Sequence, residues 1–172
     1  MNLSVVTGEV NGGKTTMLNA ICSRLDSKGL SIGGVIQVAP LPNQVKENYI
    51  LSDHSSGESR LLMSLNEHVG FSRYNRFWID ESTFSWANEL IIAAFKSKEV
   101  VTIDEIGPLE LRGGAFEPSF RSALKNYNNS LIVVIRKNLI DDIFKYFGID
   151  KKGVKFYYSD QNWDEQLESL LD

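Results

Sequence analysis

The 172-residue chain is 42% hydrophobic and carries 13 glycines, the composition of an ordinary water-soluble fold with enough length for one domain. Eighteen Lys and Arg against 22 Asp and Glu leave a net charge of −4 and a pI near 5.3, which excludes a global basic field that would recruit nucleic acid or an anionic membrane. The longest aliphatic run, residues 131–135, falls far short of the roughly 20 residues that span a bilayer, and a lone cysteine, Cys22, permits no intrachain disulfide and suits a reducing cytoplasm.

The opening MNLSVVTGEV has no basic stretch, so no secretory leader is expected and the fold is expected to start at once. Residues 2–6 read as a short buried strand, followed by a glycine-rich loop. A helix is expected from Lys14, because Met17, Leu18, Ile21, Cys22 and Leu25 share one face, and Gly29 closes it. Cys22 then reads as a small core hydrophobe. Across residues 32–64 the runs GGVIQVA, NYILS and SRLLMS are broken by Pro40, Pro42, Asn43 and the cluster DHSSGES, a strand and hairpin pattern. Residues 69–79 read as one or two more strands.

Phe84, Ala87, Leu90, Ile91, Ala94 and Phe95 then repeat at helical spacing from a start between Asp80 and Ser82. EVVTIDE follows as a buried strand. A helix through Phe120 and Leu124, with Pro118 in its first turn, leads into the strand at 131–135. A last helix and strand pair, residues 139–147 and 154–158, precedes a short helix from about Trp163. Strands alternating with helices imply an α/β fold with a mostly parallel sheet covered on both faces. The expectation is one domain over residues 1–172, with a β-rich hairpin insertion at about 40–79.

Residues 8–15, GEVNGGKT, match G-x-x-x-x-G-K-[ST] between a short apolar strand and a helix, the context that gives this motif its meaning. A glycine loop at a helix N-terminus presents backbone N–H groups to phosphate, aided by the helix dipole. Gly8, Glu9, Val10, Asn11, Gly12, Gly13, Lys14, Thr15 and Thr16 are therefore the expected nucleotide-binding residues. Lys14 reaches the β- and γ-phosphates, the Thr15 hydroxyl is placed for Mg²⁺, and Thr16 either donates to an α-phosphate or packs. Asp104, at the end of VVTIDE, is the expected second Mg²⁺-side residue. Glu105 follows it directly, where a carboxylate can orient water for in-line attack.

Phosphoryl transfer also needs a cation for the charge that develops on the γ-phosphoryl group. Arg136 is the best internal candidate, since it follows SLIVVI at the carboxyl end of a buried strand, where open α/β sheets bind ligands. The competing reading is a surface Arg at a helix start. Arg60, Arg73, Arg76 and Arg112 have no spacing argument to rank them. Expected catalytic residues are thus Lys14, Glu105 and Arg136. The aromatics Tyr74, Phe77, Trp78, Phe84 and Trp86 suggest either a stacking pocket or core, and no N-K-x-D run reads guanine.

The succession GEVNGGKTT, GGVIQ, a hairpin with SSGESRLL, VGFSRYNRFW, an amphipathic helix and IDEIGPLEL resembles the small P-loop nucleoside-triphosphatases first described from thermophilic prokaryotes. The most specific part is IDEIGPLEL, residues 103–111. The resemblance implies a RecA-like P-loop fold and Mg²⁺-dependent hydrolysis of nucleoside triphosphates (ATP, GTP and others) to diphosphates with loose base selectivity. The chain departs from the family after its glycine strand: where a Glu followed by an Arg is usual, it has Gln37-Val38-Ala39-Pro40. Within IDEIGPLEL, Leu109 and Leu111 are expected to tuck into the core, and Glu110 either bonds backbone or a basic residue, or stays solvated. Two other functions fit the same motifs, a nucleotide or nucleoside kinase and a nucleotide-dependent binding module with slow hydrolysis.

Overall fold

The computed structural model describes residues 1–38 and 47–168. Among these the chain order is β1 (Asn2–Gly8), α1 (Lys14–Asp26), β2 (Ile32–Gln37), β3 (Asn48–Asp53), β4 (Ser59–Ser64), β5 (Ser72–Tyr74), β6 (Phe77–Ile79), α2 (Glu81–Ala94), β7 (Val100–Ile106), α3 (Glu117–Asn126), β8 (Ser130–Arg136), α4 (Ile140–Phe147), β9 (Lys155–Tyr158) and α5 (Trp163–Glu168). The expected breaks at Pro40, Pro42 and Asn43 and the start of the insertion near residue 40 lie outside the described residues.

All nine strands join one sheet in the order β5-β6-β4-β3-β2-β7-β8-β1-β9. The pairs β2/β7, β7/β8, β8/β1 and β1/β9 are parallel, whereas β2/β3, β3/β4, β4/β6 and β6/β5 are antiparallel. A strand that is buried on both faces must be apolar at successive positions, and the parallel strands are. Val6, Ile132, Val134 and Tyr157 face one layer, where they meet Met17, Leu18, Ile21 and Cys22 of α1. Their chain neighbours Val5, Val133 and Ile135 face the other, against Phe84 and Ile91 of α2, Phe120 of α3, and Ile143 and Phe144 of α4. Cys22 is buried as the helical face requires, and burial pushes its thiol up to about 12, with the Asp104 charge adding to the effect.

Within β2 the backbone at Gly34 takes φ +91°, and a Cβ there would lie 2.2 Å from the Thr102 carbonyl oxygen of β7. Only glycine allows β2 to lie this close to its parallel neighbour. Register shifts between Ile103 and Ile106 where β7 pairs with β8, so β7 leaves the regular ladder at Asp104 and Glu105. α2 starts where its sequence indicates: Asp80 caps it, accepting from the Ser82 backbone N–H at 2.9 Å. Among the described residues no helix is long and apolar enough to cross a membrane.

Candidate functional site

β1 and β7 carry the two motifs but are not neighbours, because β8 lies between them. Their carboxyl ends, with that of β8, therefore bring three segments together: the glycine loop, the acidic pair Asp104-Glu105, and Arg136. Gly8 is in register with Arg136. After β1 the loop turns sharply, with Gly12 N–H donating to the Glu9 carbonyl at 3.0 Å and Asn11 at φ 58°. Gly13 precedes α1 at φ +79°, a conformation that side-chain-bearing residues rarely take. It aims the N-terminal end of α1 into the loop.

Lys14 is buried, and its Nζ donates to the Glu9 carbonyl at 2.7 Å, which folds the ammonium over the loop. The next residue points the other way around the helix. Thr15 Oγ1 donates to Asp104 Oδ2 at 2.8 Å, and the Gln37 backbone N–H donates to the same oxygen at 3.1 Å. Asp104 is fully buried, held between the end of β2 and the start of α1. Glu105 is turned toward β8, where Arg136 Nε donates to its Oε1 at 2.7 Å. Thr16 is exposed.

These groups border a cavity of about 710 Å³. Val10 to Thr16, Glu105 and Arg136 line its polar end, while Tyr49, Met63, Tyr74, Phe77, Phe84 and Phe116 surround the rest. Tyr74, Phe77 and Phe84 of the expected aromatic group thus face the cavity, and Trp78 and Trp86 do not line it. Nor do the other arginines considered from the sequence. Arg60 pairs with Glu58 and lies over the Trp86 ring, Arg76 lies over Phe77, Arg112 over Tyr74, and Arg73 donates to the Asn75 carbonyl.

The solvated alternative for Glu110 does not hold. It is 2% exposed, with Oε2 accepting from Gly107 N–H at 2.6 Å and Oε1 from Phe116 N–H at 3.0 Å. Burial pushes its carboxyl up to about 7, against the pull of those two donors, and the nearby Glu105 charge raises it further. Glu110 thereby ties the segment after β7 to the start of α3, with Leu109 and Leu111 packed against the core as expected. Its sequence signal was its place between those two inward leucines. Gln37, noted from the sequence only as a departure from the family, lines the cavity, while Tyr49 and Phe116 had no signal, since each depends on a pairing distant in sequence.

The sequence model of the family described as NTPase matches residues 4–171. The chain belongs to this NTPase family. Two relatives, both named nucleoside-triphosphatase THEP1, come from archaea. That of Methanopyrus kandleri is 26% identical over 98% of this chain and 92% of its own length, and that of Caldivirga maquilingensis is 30% identical over 73% and 68%. The crystal structure of THEP1 from the hyperthermophile Aquifex aeolicus superposes with a TM-score of 0.74 at 18% identity, covering 99% of this chain and 96% of that one. The solution structure of a human cancer-related nucleoside triphosphatase has a TM-score of 0.71 at 21% identity, with the same coverage. These likenesses place the chain in the α/β fold of the NTPase family, with the parallel strands and covering helices expected from its sequence and the β-rich part continuing the same sheet antiparallel.

Proposed function

We propose that this member of the NTPase family hydrolyses nucleoside 5′-triphosphates to diphosphate and phosphate with Mg²⁺ and little choice of base, in the reducing cytoplasm. The observation that carries the reading is the convergence of Thr15 on Asp104 and of Arg136 on Glu105 beside the glycine loop. A hydroxyl and a carboxylate oxygen are hard donors of the kind Mg²⁺ takes, and Mg²⁺ is ordinarily completed by phosphate and water and not by a full protein cage. Thr15 and Asp104 are the residues that would hold the ion, which when bound supplies positive charge to the phosphate oxygens.

In this reading the loop N–H groups and Lys14 hold the phosphates. Glu105 orients a water, whose oxygen forms a bond to the γ-phosphorus as the bond from that phosphorus to the bridging oxygen breaks. The water proton passes to the carboxylate. Arg136 does two things: it fixes Glu105 before the reaction, and its guanidinium meets the charge that develops on the γ-phosphoryl group. No motif for one base was found, which supports loose selectivity. The test is phosphate release from ATP, GTP, CTP and UTP with and without Mg²⁺. Release should require Mg²⁺ and vary less than about a thousandfold across the bases. A protein that binds triphosphate tightly without multiple turnover would favour the binding-module reading instead.

A further inference from the structure

A hydrolase needs room beyond the γ-phosphate for one water, about 30 Å³. The cavity here measures about 710 Å³, and away from the glycine loop five aromatic residues, Tyr49, Tyr74, Phe77, Phe84 and Phe116, share its wall with Leu62 and Met63. Its position matters as much as its size. Thr15 and Asp104 mark the γ end of a bound triphosphate, and they lie toward β7 and β2. With its γ end there, a triphosphate laid along the loop would run the opposite way, past Gly13, beside which Trp163 of α5 lies. The aromatic compartment, under β3 to β6, is therefore beyond the γ-phosphate. It is where an acceptor would approach.

We propose that this compartment is a second substrate site for a neutral nucleoside, whose primary hydroxyl replaces water as acceptor of the γ-phosphoryl group. The inference rests on the proposed binding of triphosphate at the glycine loop. Aromatic walls favour a flat ligand: Tyr49 and Phe77, packed edge to face at 5.4 Å, and Phe84 and Phe116, packed edge to face at 5.1 Å, all border the compartment. An uncharged acceptor suits this wall: the cations among the described lining residues, Lys14 and Arg136, are both at the phosphate end, and Arg76 and Arg112 lie over the Phe77 and Tyr74 rings. The polar groups elsewhere on the wall include Asn75 and the Tyr49 and Tyr74 side chains, which suit the hydrogen-bonding edge of a base. Glu105 stands between the two compartments. In the transfer step the nucleoside hydroxyl oxygen bonds to the γ-phosphorus, the bond to the bridging oxygen breaks, and nucleoside diphosphate leaves. The hydroxyl proton passes to Glu105, so the products are a nucleoside monophosphate and a diphosphate.

The protein should be incubated with Mg²⁺ and γ-labelled ATP, alone and with adenosine, guanosine, cytidine, uridine or thymidine. The expected result is label in the monophosphate of at least one nucleoside, with ADP equal to phosphate plus monophosphate. Met63→Trp, which fills the compartment, and Phe77→Ala, which opens its wall, should each lower the ratio of monophosphate to phosphate about tenfold or more. ATP cleaved with label only in phosphate for all five nucleosides overturns the acceptor site and leaves hydrolysis standing. ATP left intact with and without nucleosides overturns both. If Met63→Trp weakens binding of a non-hydrolysable ATP analogue but not of inorganic tripolyphosphate, the compartment holds the base of the triphosphate itself, and the proposal falls.

Discussion

The sheet has two halves that differ in more than strand direction. In the parallel half, β2, β7, β8 and β1 are buried on both faces, and their carboxyl ends and following loops supply Lys14, Glu105, Glu110 and Arg136. In the antiparallel half, β3 to β6 are partly exposed, and what they and the β5–β6 turn add to the cavity is uncharged: Tyr49, Leu62, Met63, Tyr74, Asn75 and Phe77. Charged groups that must meet phosphate within a fraction of an ångström stand on strands held from both sides. Groups that only shape a space stand where the chain can vary without disturbing the first set. The contrast yields a rule: changes in the parallel half should alter the reaction, and changes in the antiparallel half should alter what enters.

The strongest challenge to that rule is Glu105→Gln. It keeps the size of the side chain and one oxygen for Arg136 but removes the basic carboxylate, so single-turnover hydrolysis should fall by roughly 10²–10⁴. Triphosphate affinity should barely change, since Lys14, Thr15 and Asp104 are untouched. Unchanged hydrolysis would remove Glu105 from the reaction. Arg136→Ala should have the next largest effect, a loss of about 10²–10³ in turnover with a smaller loss in binding, because the guanidinium meets charge that exists fully only in the transition state. Steady-state kinetics beside direct titration separates the two. A matching loss in affinity would make Arg136 a binding residue.

The two halves also differed in how well the sequence disclosed them. Phosphate chemistry demands particular residue types at fixed spacing at the ends of long apolar runs, so Lys14, Thr15, Asp104 and Glu105 could be placed by pattern. The helices could be placed by period, down to Asp80 before α2. Strand order is different, because the insertion of β8 between β1 and β7 depends on pairings distant in sequence. For that reason Arg136 could be located at a strand end yet not joined to Glu105. The aromatic group divided for geometric reasons. Phe77 and Trp78 are successive in a strand and point to opposite faces, and Phe84 and Trp86 are about 200° apart around a helix. Tyr49 and Phe116 complete the cavity from 67 residues apart, which no local pattern registers.

Glu110 tests the boundary between the halves, since it fixes the Gly107 and Phe116 backbone beside the aromatic wall. With its carboxyl raised from 4.5 to about 7 in the folded protein, the native state retains a proton there that the unfolded chain has released. Its contribution therefore favours folding below about 4.5 and is lost as pH rises to about 7, with a slope of at most about 1.4 kcal/mol per pH unit. Glu110→Gln should abolish that slope. Below about pH 4.5, where the parent holds the neutral acid, it should also cost about 1–3 kcal/mol, because its amide nitrogen cannot accept the second backbone N–H. Denaturation of parent and variant from pH 4 to 8 reads both effects. Parallel pH curves for the two proteins would rule out a titrating Glu110.

The smallest expected effect bears most directly on whether the halves act separately. Asp80 is the joint where β6 passes into α2. Its N–H donates to the Leu62 carbonyl of β4 at 3.0 Å, one carboxylate oxygen accepts from Ser82 N–H, and the other accepts from Thr83 Oγ1 at 2.8 Å. Thr83 Oγ1 also reaches the Leu61 carbonyl at 3.1 Å, so the cap ties the hairpin strands to a helix packed on the parallel core. Asp80→Ala removes the cap and should cost about 1 kcal/mol of stability, roughly 2–4 °C in Tm for a chain of this size. Its backbone bond to β4 survives the change. If the antiparallel half only shapes the cavity, triphosphate affinity and hydrolysis measured well below Tm stay within about twofold of the parent, because Lys14 at the start of α1 and Asp104, Glu105 and Arg136 on β7 and β8 are not touched by the cap. Hydrolysis that falls tenfold at full folding would mean that the hairpin sets the geometry of the phosphate end, and the division of labour between the halves would not stand.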